Sequence, residues 1–101
     1  MNERQQIADY FEKMLSEAAF SAPYGVLQGN QKDKKGKTYR SVTFGIARTL
    51  DAEIRIYGAN FILLRWNNGT LEIFRSFKEV EKFIREKWSY CFSSDDEVIE
   101  F

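Results

Sequence analysis

A chain of 101 residues with 15 basic and 15 acidic side chains, one cysteine and no histidine is the length of one ordinary domain, long enough to bury a core without staples. Lacking histidine, it has no Ser-His or Cys-His pair and no side chain that exchanges protons readily near neutral pH, which excludes the common hydrolase constellations. The lone Cys91, set between Tyr90 and Phe92, excludes an internal disulfide and any multi-cysteine zinc site and reads as a buried, inert thiol of a reducing compartment.

Along residues 3–20, Ile7, Tyr10, Phe11, Met14, Leu15 and Ala18 recur at three-and-four spacing with charges between them, which predicts an amphipathic helix. Asn2 stands where a cap belongs, with Gln5 in the reciprocal position of a capping box. Ala22-Pro23-Tyr24-Gly25 then turns the chain. Val26-Leu27-Gln28 suits a short edge strand, and residues 29–37 read as a mobile polar loop. Lys32, Lys34, Lys35, Lys37 and the following Arg40 are crowded there against Asp33 alone.

Residues 39–50 alternate, with Val42, Phe44 and Ile46 on one side and Tyr39, Ser41, Thr43, Gly45 and Ala47 on the other, the period of a strand. A second strand spans 53–57 with Ile54 and Ile56 inward. Two apolar runs around Asn68-Gly69 then predict a hairpin on a two-residue turn, since Asn-Gly supplies the positive φ angles of that turn. On that reading Trp66 opposes Leu71, Arg65 opposes Glu72, Leu64 opposes Ile73 and Leu63 opposes Phe74, and an Arg65–Glu72 cross-strand pair supports the register. Ser76 and Glu79 form a capping box, followed by a stripe of Phe77, Val80, Phe83, Ile84 and Trp88 over residues 77–88. An acidic tail over 93–101 ends the chain.

The expected fold is α+β: a single domain over residues 1–101 in which an antiparallel meander of four to five strands, over about 39–75, is flanked by an N-terminal and a C-terminal helix packed on one face. No stretch is long and apolar enough to span a membrane, and the N-terminus has no apolar signal core, so a cytoplasmic protein is expected. No metal or cofactor site is expected. Gly25, Gly29 and Gly36 are too widely spaced for a phosphate-binding loop, and Asp95, Asp96 and Glu97 lack the Gly-containing loop of a cation site.

With no catalytic constellation, the expected function is non-enzymatic: occupation of the surface of a macromolecular partner, a protein in the first instance, after the manner of small phage or mobile-element inhibitors and adaptors. That comparison rests on size and fold class alone. The contact surface is expected on the outward sheet face, whose Tyr39, Arg55, Tyr57, Leu63, Arg65 and Phe74 are unusually apolar and aromatic for a face in water. Such a face also suits a homodimer. The alternative is a nucleic-acid-binding module in which Lys32, Lys34, Lys35, Lys37 and Arg40 meet phosphates and the aromatic and arginine side chains meet bases. The acidic Asp95, Asp96, Glu97 and Glu100 form a further candidate contact, toward a basic groove on a partner.

Overall fold

The chain lays down a helix, five strands and a second helix: α1 (Glu3–Ser16), β1 (Leu27–Lys32), β2 (Thr38–Ala47), β3 (Leu50–Gly58), β4 (Phe61–Trp66), β5 (Leu71–Phe74) and α2 (Phe77–Lys87). They are seen in a computed structural model that describes residues 3–17, 26–47, 50–66 and 69–87. Each strand is antiparallel to the next, and the order across the sheet is the order along the chain. The α+β meander expected from the alternation is therefore the fold. Features read at Asn2, Ala18, Asn68, Trp88, Cys91 and the acidic tail, and the side chains of Ile46 and Ala47, lie outside the described residues.

Both helices sit on the same face. Val42, Phe44, Ala52, Ile54, Ile56, Ile62, Leu64 and Trp66 point from the sheet into a core shared with Ile7, Ala8, Phe11, Met14 and Leu15 of α1 and Val80 and Ile84 of α2. Period-two strands and period-3.6 helices bury one stripe each, which is why these positions and few others lie inside. Tyr10, expected in the α1 stripe, is instead 41% exposed. It lies at the edge of the stripe and reaches α2, stacking edge-on with Phe77 at 5.6 Å and donating its hydroxyl to Glu81 at 2.6 Å. Burial favours the neutral form of the Glu81 carboxyl, but the bonds from Tyr10 and Arg85 outweigh it and hold its pKa below the usual range. At the start of α2 the Glu79 N–H donates to Ser76 Oγ, while the Glu79 carboxylate accepts from the Arg75 N–H one residue before the cap. The reciprocal cap thus forms around the expected pair.

Two expectations are corrected here. β1 covers Leu27–Lys32, pairing Gln28 with Val42 and Lys32 with Thr38, so the first four residues of the segment read as a loop over 29–37 are strand. Its polar composition hid it, because an edge strand need not bury alternate side chains. Gln28 faces α1 and is satisfied by polar partners: its amide nitrogen donates to Asp9 and Glu12, and its oxygen accepts from Gln5 and from Arg40 Nε. Arg40 is thereby placed on the helix side of the sheet, away from the lysines it neighbours in sequence.

The second correction concerns β5. The observed pairs are Arg65–Leu71, Leu64–Glu72, Leu63–Ile73 and Ile62–Phe74, one residue out of the expected register. The Gly69 N–H donates to the Trp66 carbonyl and the Trp66 N–H to the Thr70 carbonyl, and Gly69 has φ +94°. This is a three-residue loop closed by a left-handed glycine, a common alternative to the two-residue turn. One residue of slip turns the strand over. Phe74 therefore packs on the helix side against Phe83 at 5.3 Å, and Leu71 and Ile73, expected opposite Trp66 and Leu64, are 51% and 53% exposed on the outer face. Arg65 reaches Glu53, its partner across β3 and β4, at 3.8 Å rather than Glu72.

Candidate functional site

The outer face of the sheet, opposite α1 and α2, carries an open groove of about 690 Å³. Its floor comes from odd-numbered positions of the central strands and of β5: Arg55, Tyr57, Phe61, Leu63, Arg65 and Leu71. Its wall is the tip of the β1–β2 hairpin, with Lys32, Asp33, Lys34, Lys35 and Lys37.

The tip is built like the β4–β5 loop. Its Gly36 N–H donates to the Asp33 carbonyl, the Asp33 N–H to the Lys37 carbonyl, and Gly36 has φ +84°. The Asp33 carboxylate organises it further, Oδ1 accepting from the backbone N–H groups of Lys35 and Lys37 at 2.9 Å each. Its other oxygen accepts the Tyr57 hydroxyl at 3.0 Å, and Lys37 Nζ lies 5.8 Å from the centre of the Tyr57 ring. One aspartate thus shapes the loop and ties it to the sheet face.

Beneath the tip the aromatic rings form a row. Tyr39 and Tyr57 lie 5.2 Å apart, Tyr57 and Phe61 5.4 Å, within the range of favourable ring pairs. The Arg55 guanidinium covers Tyr39 at 4.7 Å and Arg75 stands over Phe61 at 5.6 Å. Glu53 anchors this layer, accepting from Arg55 Nε at 2.9 Å and from the Tyr39 hydroxyl at 3.5 Å. Desolvation opposes the charge on Arg55, but Glu53 more than restores it. Burial raises the pKa of Tyr39 and of Tyr57, with Glu53 and Asp33 respectively adding to the effect, so both phenols are neutral donors at physiological pH.

Of the expected contact residues, Arg55, Tyr57, Leu63 and Arg65 line the groove together with Lys32, Lys34, Lys35 and Lys37. Tyr39 is on the expected face but only 5% exposed, so it supports the floor from beneath Arg55. Phe74 is on the core side, and Arg40 is held by Gln28 on that same side. The acidic candidates Asp95, Asp96, Glu97 and Glu100 lie outside the described residues. Phe61, Leu71 and Arg75 were not singled out as contacts. Phe61 was legible from the outward parity of its strand, and Leu71 only from the correct hairpin register. Among the described residues no group of three or more His, Cys, Asp or Glu could hold a metal ion, and no helix is long and apolar enough to cross a membrane.

The Asp33 carboxyl is held below the usual aspartate range chiefly by the Lys37 N–H, with Tyr57 and Lys35 adding to it, against an opposing effect of desolvation. A folded pKa below the unfolded one means stabilisation that is complete above the ordinary aspartate range and lost as the pH falls through the lowered value. The expected result is a hairpin tip that loosens in acid before the domain unfolds. The amide proton shifts of Lys35 and Lys37, followed by NMR down the pH scale, should move together with the Tyr57 ring signals. Shifts that stay flat through that titration would show that Asp33 does not hold the tip.

No family model matches this chain, and neither the curated proteins nor the solved structures include a match to it.

Proposed function

We propose that this protein is a non-enzymatic binding module that acts by occupying a macromolecular partner with the outer face of its sheet. The observation that supports this is the groove itself: a hairpin tip bearing four lysines set against an aromatic and aliphatic floor, on the face that neither helix covers. Contiguous apolar surface rimmed by polar groups is the usual mark of an interaction site, and aromatic and arginine side chains are the commonest anchors in such sites. The lysine wall adds a preference for an anionic partner, because complementary charge steers encounter and fixes orientation.

Formaldehyde, which links lysines to proteins and to nucleic acids alike, applied to the tagged protein in a cell extract tests the location. Links to a partner are expected on Lys34, Lys35 and Lys37 at the groove, and the double change Lys35→Glu and Leu71→Ser is expected to abolish capture at unchanged melting temperature. Links confined to Lys13, Lys78 and Lys82 on the helices, with capture indifferent to the double change, would remove the outer face from consideration. Sedimentation of the purified protein over a wide concentration range separates a foreign partner from a second copy seated through Leu71 and Ile73: a mass that doubles with concentration would assign the face to a homodimer.

A further inference from the structure

Resting on the reading of the outer face as a binding surface, we infer that the groove takes a single-stranded nucleic acid, with phosphates against the hairpin lysines and bases against the floor.

The chain has no net charge, yet the groove gathers six cations against one carboxylate. That carboxylate, Asp33, is engaged by Tyr57 and by two backbone N–H groups. Arg55 and Arg65 share Glu53, and Asp33 offsets one of the four lysines around it, so most of the excess positive charge lies on the hairpin wall. Lysines on one wall form an electrostatic track for a backbone of regularly spaced anions.

The floor narrows the class of anion. An acidic peptide has carboxylates on flexible stems and no flat surface of its own. Single-stranded nucleic acid has a planar base beside every phosphate, and bases stack on aromatic rings and on guanidinium planes alike. The floor supplies both, in the Tyr57–Phe61 row and in the guanidinium groups of Arg55 and Arg65, while Leu63 and Leu71 extend it as apolar ground. The groove of about 690 Å³ has room for a nucleotide or two of an extended strand, since sites for small ligands run to about 300–1,000 Å³. The contacts of wall and floor are independent of base identity, so binding is expected to tolerate any sequence.

Fluorescence anisotropy with a labelled oligothymidylate of about twelve nucleotides, a duplex of the same length and an Asp/Glu peptide of equal charge tests this. At low salt the oligothymidylate is expected to bind at micromolar protein, more tightly than the other two, with an affinity that falls as salt rises, by about 0.7 in logarithmic slope for each phosphate neutralised. The double change Lys34→Glu and Lys35→Glu is expected to flatten that slope by about 1.4. Phe61→Leu, which keeps apolar bulk and removes a ring, is expected to weaken the oligothymidylate at least about fivefold, the lower end of what one stacked base contributes, and to leave the peptide unaffected. Peptide binding as tight as oligothymidylate binding, with Phe61→Leu silent, would assign the groove to an acidic protein segment and overturn the inference. A duplex bound in preference to the single strand would overturn it as well. No binding of any of the three would also overturn it, leaving the outer-face reading to stand if the cross-links still fall on Lys34, Lys35 and Lys37 and to fall with it if they do not.

Discussion

Phe74→Ala is expected to destabilise the domain by roughly 2–3 kcal/mol, somewhat below the cost of truncating a fully buried phenylalanine, whereas Ile73→Ala is expected to cost under about 1 kcal/mol. The two residues are adjacent, and the contrast follows from the hairpin register alone. Phe74 lies on the helix side against Phe83 and the core, while Ile73 is 53% exposed on the opposite face. Urea unfolding of the two variants, compared at equal m-value, measures the difference. The reverse ranking would require the two-residue turn that Asn68-Gly69 suggests, with Ile73 inward and Phe74 at the surface.

The second large effect is expected at the other layer. Phe11 is completely buried between α1 and the sheet, and Phe11→Ala is expected to cost about 3–5 kcal/mol. That is a large share of the roughly 5–15 kcal/mol that holds a domain folded and lowers the melting temperature by roughly 15–30 °C in a chain of this length. Its neighbour provides the control. Tyr10→Phe deletes only a hydroxyl bonded to Glu81 in a solvent-accessible contact, and such a bond contributes under about 1 kcal/mol. Thermal melts followed by circular dichroism check both; equal melting temperatures for the two variants would mean that α1 does not seal the core.

These effects bear on the binding surface because the outer face is only as ordered as the sheet beneath it. The core positions Arg55, Tyr57, Leu63 and Arg65 through strand parity, while Asp33 and Glu53 position the groups that overhang them. Substitutions at Lys34 and Lys35 therefore probe binding with little risk to the fold, and those at Phe11 or Phe74 probe the fold.

The sequence by itself determined the elements whose periodicity is strong and whose burial is one-sided. The stripe Phe11, Met14 and Leu15, the alternation of Val42 with Phe44 and of Ile54 with Ile56, and the Ser76–Glu79 cap each carry their structure locally. The α+β order and the side of the sheet that meets the helices follow from them. The sequence also contains the device that set the hairpin register, since Asp33-Lys34-Lys35-Gly36-Lys37 and Trp66-Asn67-Asn68-Gly69-Thr70 share a glycine at the third loop position, and both glycines are left-handed. The Asn-Gly pair and the apparent match of Arg65 with Glu72 favoured the shorter turn. What decided between them was tertiary: the register observed sets Phe74 against Phe83 of α2, and it leaves Leu71 and Ile73 on the outer face. The continuation of β1 beyond Gln28 to Lys32 was equally hidden, because the helix-side Gln28 is satisfied by Gln5, Asp9, Glu12 and Arg40, partners remote in sequence, and an edge strand so satisfied needs no apolar alternation. The groove is the product of these long-range choices. Only the pairing of β1 with β2 lays the lysine tip over Tyr57, and only the slipped β5 adds Leu71 to its floor, so the charge and the rings that the sequence lists separately become one surface in the folded chain.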